Sequence, residues 1–136
     1  MNIFNQEPAL KPGDKSLWGG LSSSGRALAV VEAALKYSGL TLVITETARQ
    51  ATDQSRALAF FAAEQNLSIF SFPDWETLPY DIFSPHQDIV SARLQTLAKL
   101  PSANHGVLIV PMTTLMHRVA PIDFVASRTF SYSIGE

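Results

Sequence analysis

The sequence predicts an α/β fold, a doubly wound and mostly parallel sheet with helices on both faces, and three observations predict it. Short runs rich in β-branched and apolar residues, LTLVIT (40–45), LSIFSF (67–72) and GVLIV (106–110), read as strands. Stretches of helical periodicity separate them. Connections of that length imply right-handed crossovers between parallel strands, with the helices packed over the sheet. With 46% hydrophobic residues in 136 and no cysteine, one core is feasible without disulfides or thiolate metal sites.

Residues 1–15, with Pro8, Pro12 and Gly13, read as a flexible leader to a domain spanning 16–126. Ser22, Ser23 and Ser24 offer N-cap hydroxyls for a helix from Arg26 to Tyr37, which Gly39 can stop in a left-handed conformation. Leu28, Val31 and Leu35 share one face of that helix, and Ala27, Val30, Ala33 and Ala34 make it apolar on more than one side. Leu40 to Thr45 is then a buried strand. A second helix runs from Thr47 to about Gln65, with Ala51, Leu58 and Ala62 at helical spacing, and Leu67 to Phe72 is the next strand.

Phe72 to His86, FPDWETLPYDIFSPH, holds four aromatic residues, three carboxylates and three prolines with no lysine or arginine. The aromatic faces seek burial while Asp74, Glu76 and Asp81 seek water or donors, so the loop is expected to fold onto its own domain. Trp75, Glu76, Tyr80, Asp81 and His86 are its candidate structural or interaction residues. Ser84-Pro85-His86-Gln87 has the form of a capping box with proline at the first helical position. The helix it opens runs to about Leu100 on an inner face of Ile89, Val90, Leu94, Leu97 and Ala98. Gly106 to Val110 is the third strand, Thr113 to Arg118 a short helix, and Arg128 to Ile134 a last alternating strand. Residues 127–136, a last strand without a partner of its own, are read as the start of a following domain.

The loop before the first helix is where a doubly wound fold places its ligand. It reads Gly20-Leu-Ser-Ser-Ser-Gly25-Arg26-Ala27, two glycines at the spacing of a phosphate loop. Arg26 stands where lysine reaches the phosphates, and Ala27 lacks the hydroxyl that ligates magnesium. The loop is a degenerate one, no cofactor or metal is expected in this chain, and no catalytic residue is assigned. His86, His105 and His117 are too dispersed to form a metal set, and no G-x-S-x-G elbow frames a serine. The net charge is −2, and Ala57 to Ala92 carries five carboxylates without a cation. That balance disfavours a phosphate backbone as partner. No run approaches the roughly 18 apolar residues of a membrane helix, and no signal peptide opens the chain, so a cytoplasmic location is expected.

The run DWETLPYDIFSPHQDIVSARLQTLAKLP (74–101), followed by GVLIVPMTTLMHRVAP (106–121), closely resembles the N-terminal region of the bacterial transcription-repair coupling factor (Mfd) family. That region is similar in turn to the first domain of the excision-repair subunit UvrB, where the loop matching Gly20 to Ala27 is an intact phosphate loop. The resemblance implies a non-catalytic scaffold and interaction domain within a protein that releases stalled RNA polymerase and recruits UvrA. It places the ATP- and magnesium-dependent motor, and the contacts to polymerase and DNA, in downstream domains, and the UvrA contacts in the adjoining one. Two alternatives follow from the same residues: a nucleotide-binding domain of a P-loop ATPase or helicase, and a UvrB-like DNA-binding module.

Overall fold

The structure, a computed structural model, describes residues 11–77, 82 and 84–129. Three parallel strands, β1 (Leu40–Thr45), β2 (Ile69–Ser71) and β3 (Gly106–Pro111), form a sheet in the order β1-β3-β2. The α/β class predicted from the sequence is the one observed. Leu42 pairs with Leu108 and Ile44 with Val110 along one seam, and Ile69 pairs with Val107 along the other. The strand with the most apolar run thus sits in the middle, where both of its backbone edges are paired.

The Ser22 hydroxyl opens α1 (Ser23–Lys36) by accepting the Gly25 amide at 3.1 Å, and Thr47 opens α2 (Ala48–Ala62) by accepting the Gln50 amide at 3.2 Å. Ala27, Val31 and Ala34 of α1 and Ala51, Leu58 and Ala62 of α2 pack with Val107 and Ile109 into the main core. Alanines dominate the helix side of this core because both helices lie close to the sheet and to each other. α1 ends without the left-handed glycine expected at Gly39: Tyr37 caps it in an extended conformation, and the Ala34 carbonyl is met by His105 Nε2 at 3.0 Å. Leu35, expected inside, is 41% exposed.

β1 departs from the buried strand expected. It lies at the sheet edge, and Leu42 and Ile44, on the face away from α1 and α2, are about half exposed at 50% and 48%. α3 (Gln87–Lys99) packs along β2 and continues into a 3₁₀ turn (Leu100–Ser102), and α5 (Ile122–Ala126) packs on α3. The short α4 (Met112–Leu115) follows β3 directly, and α5 is an element the sequence did not announce. The capping box is corrected too. His86, rather than Ser84, is the N-cap of α3, its Nδ1 accepting the Asp88 amide at 3.3 Å. The strand expected over 128–134 and most of the leader lie outside the described residues.

Gly106 opens β3 at φ +149°, and a Cβ placed there would stand 2.6 Å from the Ser68 carbonyl oxygen. That carbonyl accepts the Val107 amide at 2.8 Å and cannot withdraw without loosening the β2–β3 ladder. Gly106→Ala is therefore expected to lower stability by about 1–3 kcal/mol, read as a drop in the urea midpoint at unchanged slope.

Candidate functional site

Two clusters form at the carboxyl ends of the strands, where open parallel sheets bind their ligands. The first lies around the degenerate phosphate loop. No strand precedes it among the described residues: 14–19 are irregular, and Leu17 is 92% exposed. Gly20 takes φ +71°, a left-handed turn suited to glycine. Gly25 lies inside the first turn of α1, and its amide is already taken by the Ser22 hydroxyl. The Arg26 side chain is exposed and makes no hydrogen bond or ion pair among the described residues. Ala27 is fully buried in the main core. The position that would carry a metal-ligating hydroxyl points instead into apolar packing.

Beside this loop an open cavity of about 810 Å3 lies between the 16–21 segment, α1, the end of β1 and the start of α2. Trp18, Val30 and Val43 are among its apolar lining, and Arg26, Glu46, Gln50 and Asp53 are among its polar lining. Gln54 bridges the two helices, its amide nitrogen donating to the Ser23 carbonyl at 3.3 Å and hydroxyl at 3.1 Å.

The second cluster is built on the aromatic loop. Arg93 of α3 is 3% exposed, and its guanidinium carbon stands 4.1 Å from the ring centroids of both Phe72 and Trp75. Its Nη1 donates to the Pro73 carbonyl at 2.6 Å. Burial pushes the Arg93 guanidinium below its usual value, and the nearby Asp74 carboxylate pushes the other way. Asp74 accepts the Trp75 amide at 2.8 Å on one oxygen and the Thr113 hydroxyl at 2.6 Å on the other. His117 Nδ1, buried and without a hydrogen bond, lies 3.9 Å from the first of these oxygens. Thr96 donates to the Ser71 carbonyl at 2.8 Å. The loop is thereby tied to α3 on one side and to α4 on the other.

Of the residues singled out in the sequence, Trp75 is partly buried in this cluster, Glu76 is exposed at φ +58°, and His86 caps α3. Tyr80 and Asp81 lie outside the described residues. Asp74 is engaged in holding the loop. Sequence reading missed Arg93 and Thr96, the buried pair of α3, and favoured Leu94, which is 48% exposed. A signal was present: Val90, Arg93 and Leu97 fall at i, i+3 and i+7, and Arg93 is the first cation after the cation-free span. Among the described residues no set of three or more His, Asp or Glu side chains could hold a metal ion, and no helix is long and apolar enough to cross a membrane.

The chain is 38% identical over 134 residues to the transcription-repair-coupling factor of Haemophilus influenzae, a match covering 98% of this chain and 11% of that protein. It is 41% identical over 127 residues to the factor of Escherichia coli, covering 93% and 11%, and 30% identical over 108 residues to that of Mycobacterium tuberculosis, covering 74% and 8%. The chain thus spans about 11% of the length of its first two relatives. No protein-family model matches it.

Removing either half of the Arg93 sandwich tests how the loop is held. Arg93→Met is expected to cost about 2–4 kcal/mol, because the Pro73 carbonyl loses its donor and the rings lose the cation between them. Trp75→Ala, at a partly buried ring, is expected to cost about 1–3 kcal/mol. In a double-mutant cycle by urea denaturation the two losses should fall short of additivity by about 0.5–2 kcal/mol. Strict additivity would mean that the rings and the guanidinium are not coupled.

Proposed function

The chain belongs to the transcription-repair-coupling factor family, and from that premise we propose that it is a non-catalytic scaffold and interaction domain of such a factor. In this reading the longer protein releases stalled RNA polymerase by ATP-driven translocation on DNA and recruits UvrA for excision repair. The present segment, a UvrB-like module, positions the adjoining UvrA-binding surface and supplies no chemistry of its own.

The observation that carries the non-catalytic part is the state of the Gly20 to Ala27 loop. A working phosphate loop needs free backbone amides, a lysine and a metal-ligating hydroxyl. Here the Gly25 amide is engaged by Ser22, Arg26 replaces the lysine, and Ala27 is a core residue. The interaction part is supported by the second cluster, in which the aromatic loop is fixed to the domain on two sides by hydrogen bonds. Apart from Arg93, the surface from Ala57 to Lys99 carries mostly carboxylates, which argues against the UvrB-like reading of direct DNA contact.

Thermal melting with and without millimolar Mg-ATP tests the reading. No shift is expected, whereas a ligand at a hundredfold excess over its dissociation constant would add about 2.7 kcal/mol and would show the loop to be a working nucleotide site. Restoring the motif by Arg26→Lys and Ala27→Thr is expected to lower stability by about 1–3 kcal/mol without creating affinity, since the new hydroxyl must enter the core. In the full-length factor, deleting this segment should abolish UvrA capture while DNA-stimulated ATP hydrolysis persists. Retained UvrA capture would overturn the interaction role.

A further inference from the structure

α4, the segment after it and α5 carry an apolar surface that the described residues leave open. Six of the fourteen large apolar side chains exposed among the described residues fall within 112–124: Met112, Leu115, Met116, Val119, Ile122 and Phe124, with Met116 at 81%. Isolated exposed apolar residues are ordinary in a folded protein, whereas a concentration of them marks an interaction surface. Methionine and phenylalanine are also types that the cores of interfaces favour. α5 turns Val125 inward and packs on α3, so the exposed side chains stand on an element already anchored to the domain.

The path of the chain narrows the occupant. The Arg128 amide donates to the Val125 carbonyl at 3.1 Å, and the Thr129 hydroxyl donates to the same carbonyl at 2.8 Å. The Arg128 guanidinium stacks on the Phe124 ring, its carbon 3.9 Å from the centroid. Whatever follows Thr129 therefore starts beside Phe124, not at the end of a free linker. The run RTFSYSI (128–134) alternates Phe130, Tyr132 and Ile134 with polar residues, a pattern of a strand that needs partners. The chain spans 11% of the length of its first two relatives, so in a factor of that length most of the polypeptide lies outside it. Units joined by a short connection are usually neighbours in space, and a tether of that kind supplies its partner at about millimolar effective concentration.

From these observations we propose that residues 112–124 are the seat of the unit that begins with the 128–134 strand in the longer factor. That unit packs an apolar side of its own on Met116, Ile122 and Phe124 and is thereby held in one orientation to the sheet. The proposal rests on the scaffold reading and deepens it: the adjoining UvrA-binding surface is positioned by a packed interface and not by a tether alone.

Photo-crosslinking in a full-length factor that carries this segment tests it. With a benzophenone amino acid in place of Met116, cross-links are expected within roughly the first 100 residues after Glu136, the size of one domain. Met116→Asp combined with Ile122→Asp, both at exposed positions, is expected to leave the urea midpoint of the 136-residue chain unchanged. In the full-length factor the same pair is expected to speed proteolytic cleavage within 127–136 by about tenfold or more, because the undocked state becomes more populated. Cross-links only to a more distant part of the factor or to a second copy, no cross-link, or cleavage unchanged by the double substitution would each overturn the proposal. Any of these results with UvrA capture still dependent on the segment refutes the docking alone, whereas capture that survives deletion of the segment refutes the scaffold reading beneath it.

Discussion

A buried guanidinium must be held on every side, because removing an ion from water costs several kcal/mol unless partners replace the solvent. Arg93 meets that demand with two aromatic faces and one carbonyl. The faces belong to Phe72 and Trp75 and the carbonyl to Pro73, so satisfying one side chain fixes the path of four consecutive residues as they leave β2. Asp74, turned the other way, then meets Thr113 at the start of α4. Arg93 thus joins the end of β2 to the middle of α3, and Asp74 carries the link on to α4. The left-handed Glu76 is consistent with this, since a non-glycine residue is held at φ +58° only where its surroundings over-determine the chain.

The sheet has two unlike sides. The face bearing Val43, Ile69, Val107 and Ile109 is closed by α1 and α2, whose many alanines permit close approach. On the opposite face the β1 edge leaves Leu42 and Ile44 half exposed, while the β2 side is organised around α3. Because β3 is central, the two clusters at the carboxyl ends of the strands stand on either side of it, one near β1 and one near β2.

Much of the fold was legible because the signals were local. The β-branched runs of β1 and β3, and the hydroxyl cap Ser22, declare themselves within a few residues. What was illegible depended on partners distant in sequence. Arg93 counts as polar in any amphipathic reading of α3, and only the aromatic loop some twenty residues earlier turns its position into a core site. Gly39 carries the sequence signal of a left-handed stop, yet His105, far along the chain, meets the last turn of α1 instead. β1 reads as buried because sequence shows an apolar run and cannot show that, among the described residues, one of its sides is left half exposed. α5, five residues long, is too short for periodicity to register.

The Gly20 to Ala27 loop shows how a helix start comes to exclude phosphate. Phosphate binding requires backbone donors held open toward solvent, at a cost in unsatisfied amides that only the ligand removes. In this loop internal partners occupy the donors instead. Ser22 takes the Gly25 amide, Ala27 joins the core, and Gln54 ties Ser23 to the neighbouring helix. Each of these contacts stabilises α1 and each also stands in the way of a phosphate. The loop is therefore a conventional helix start, and the space beside it is framed by the packing of α1, β1 and α2.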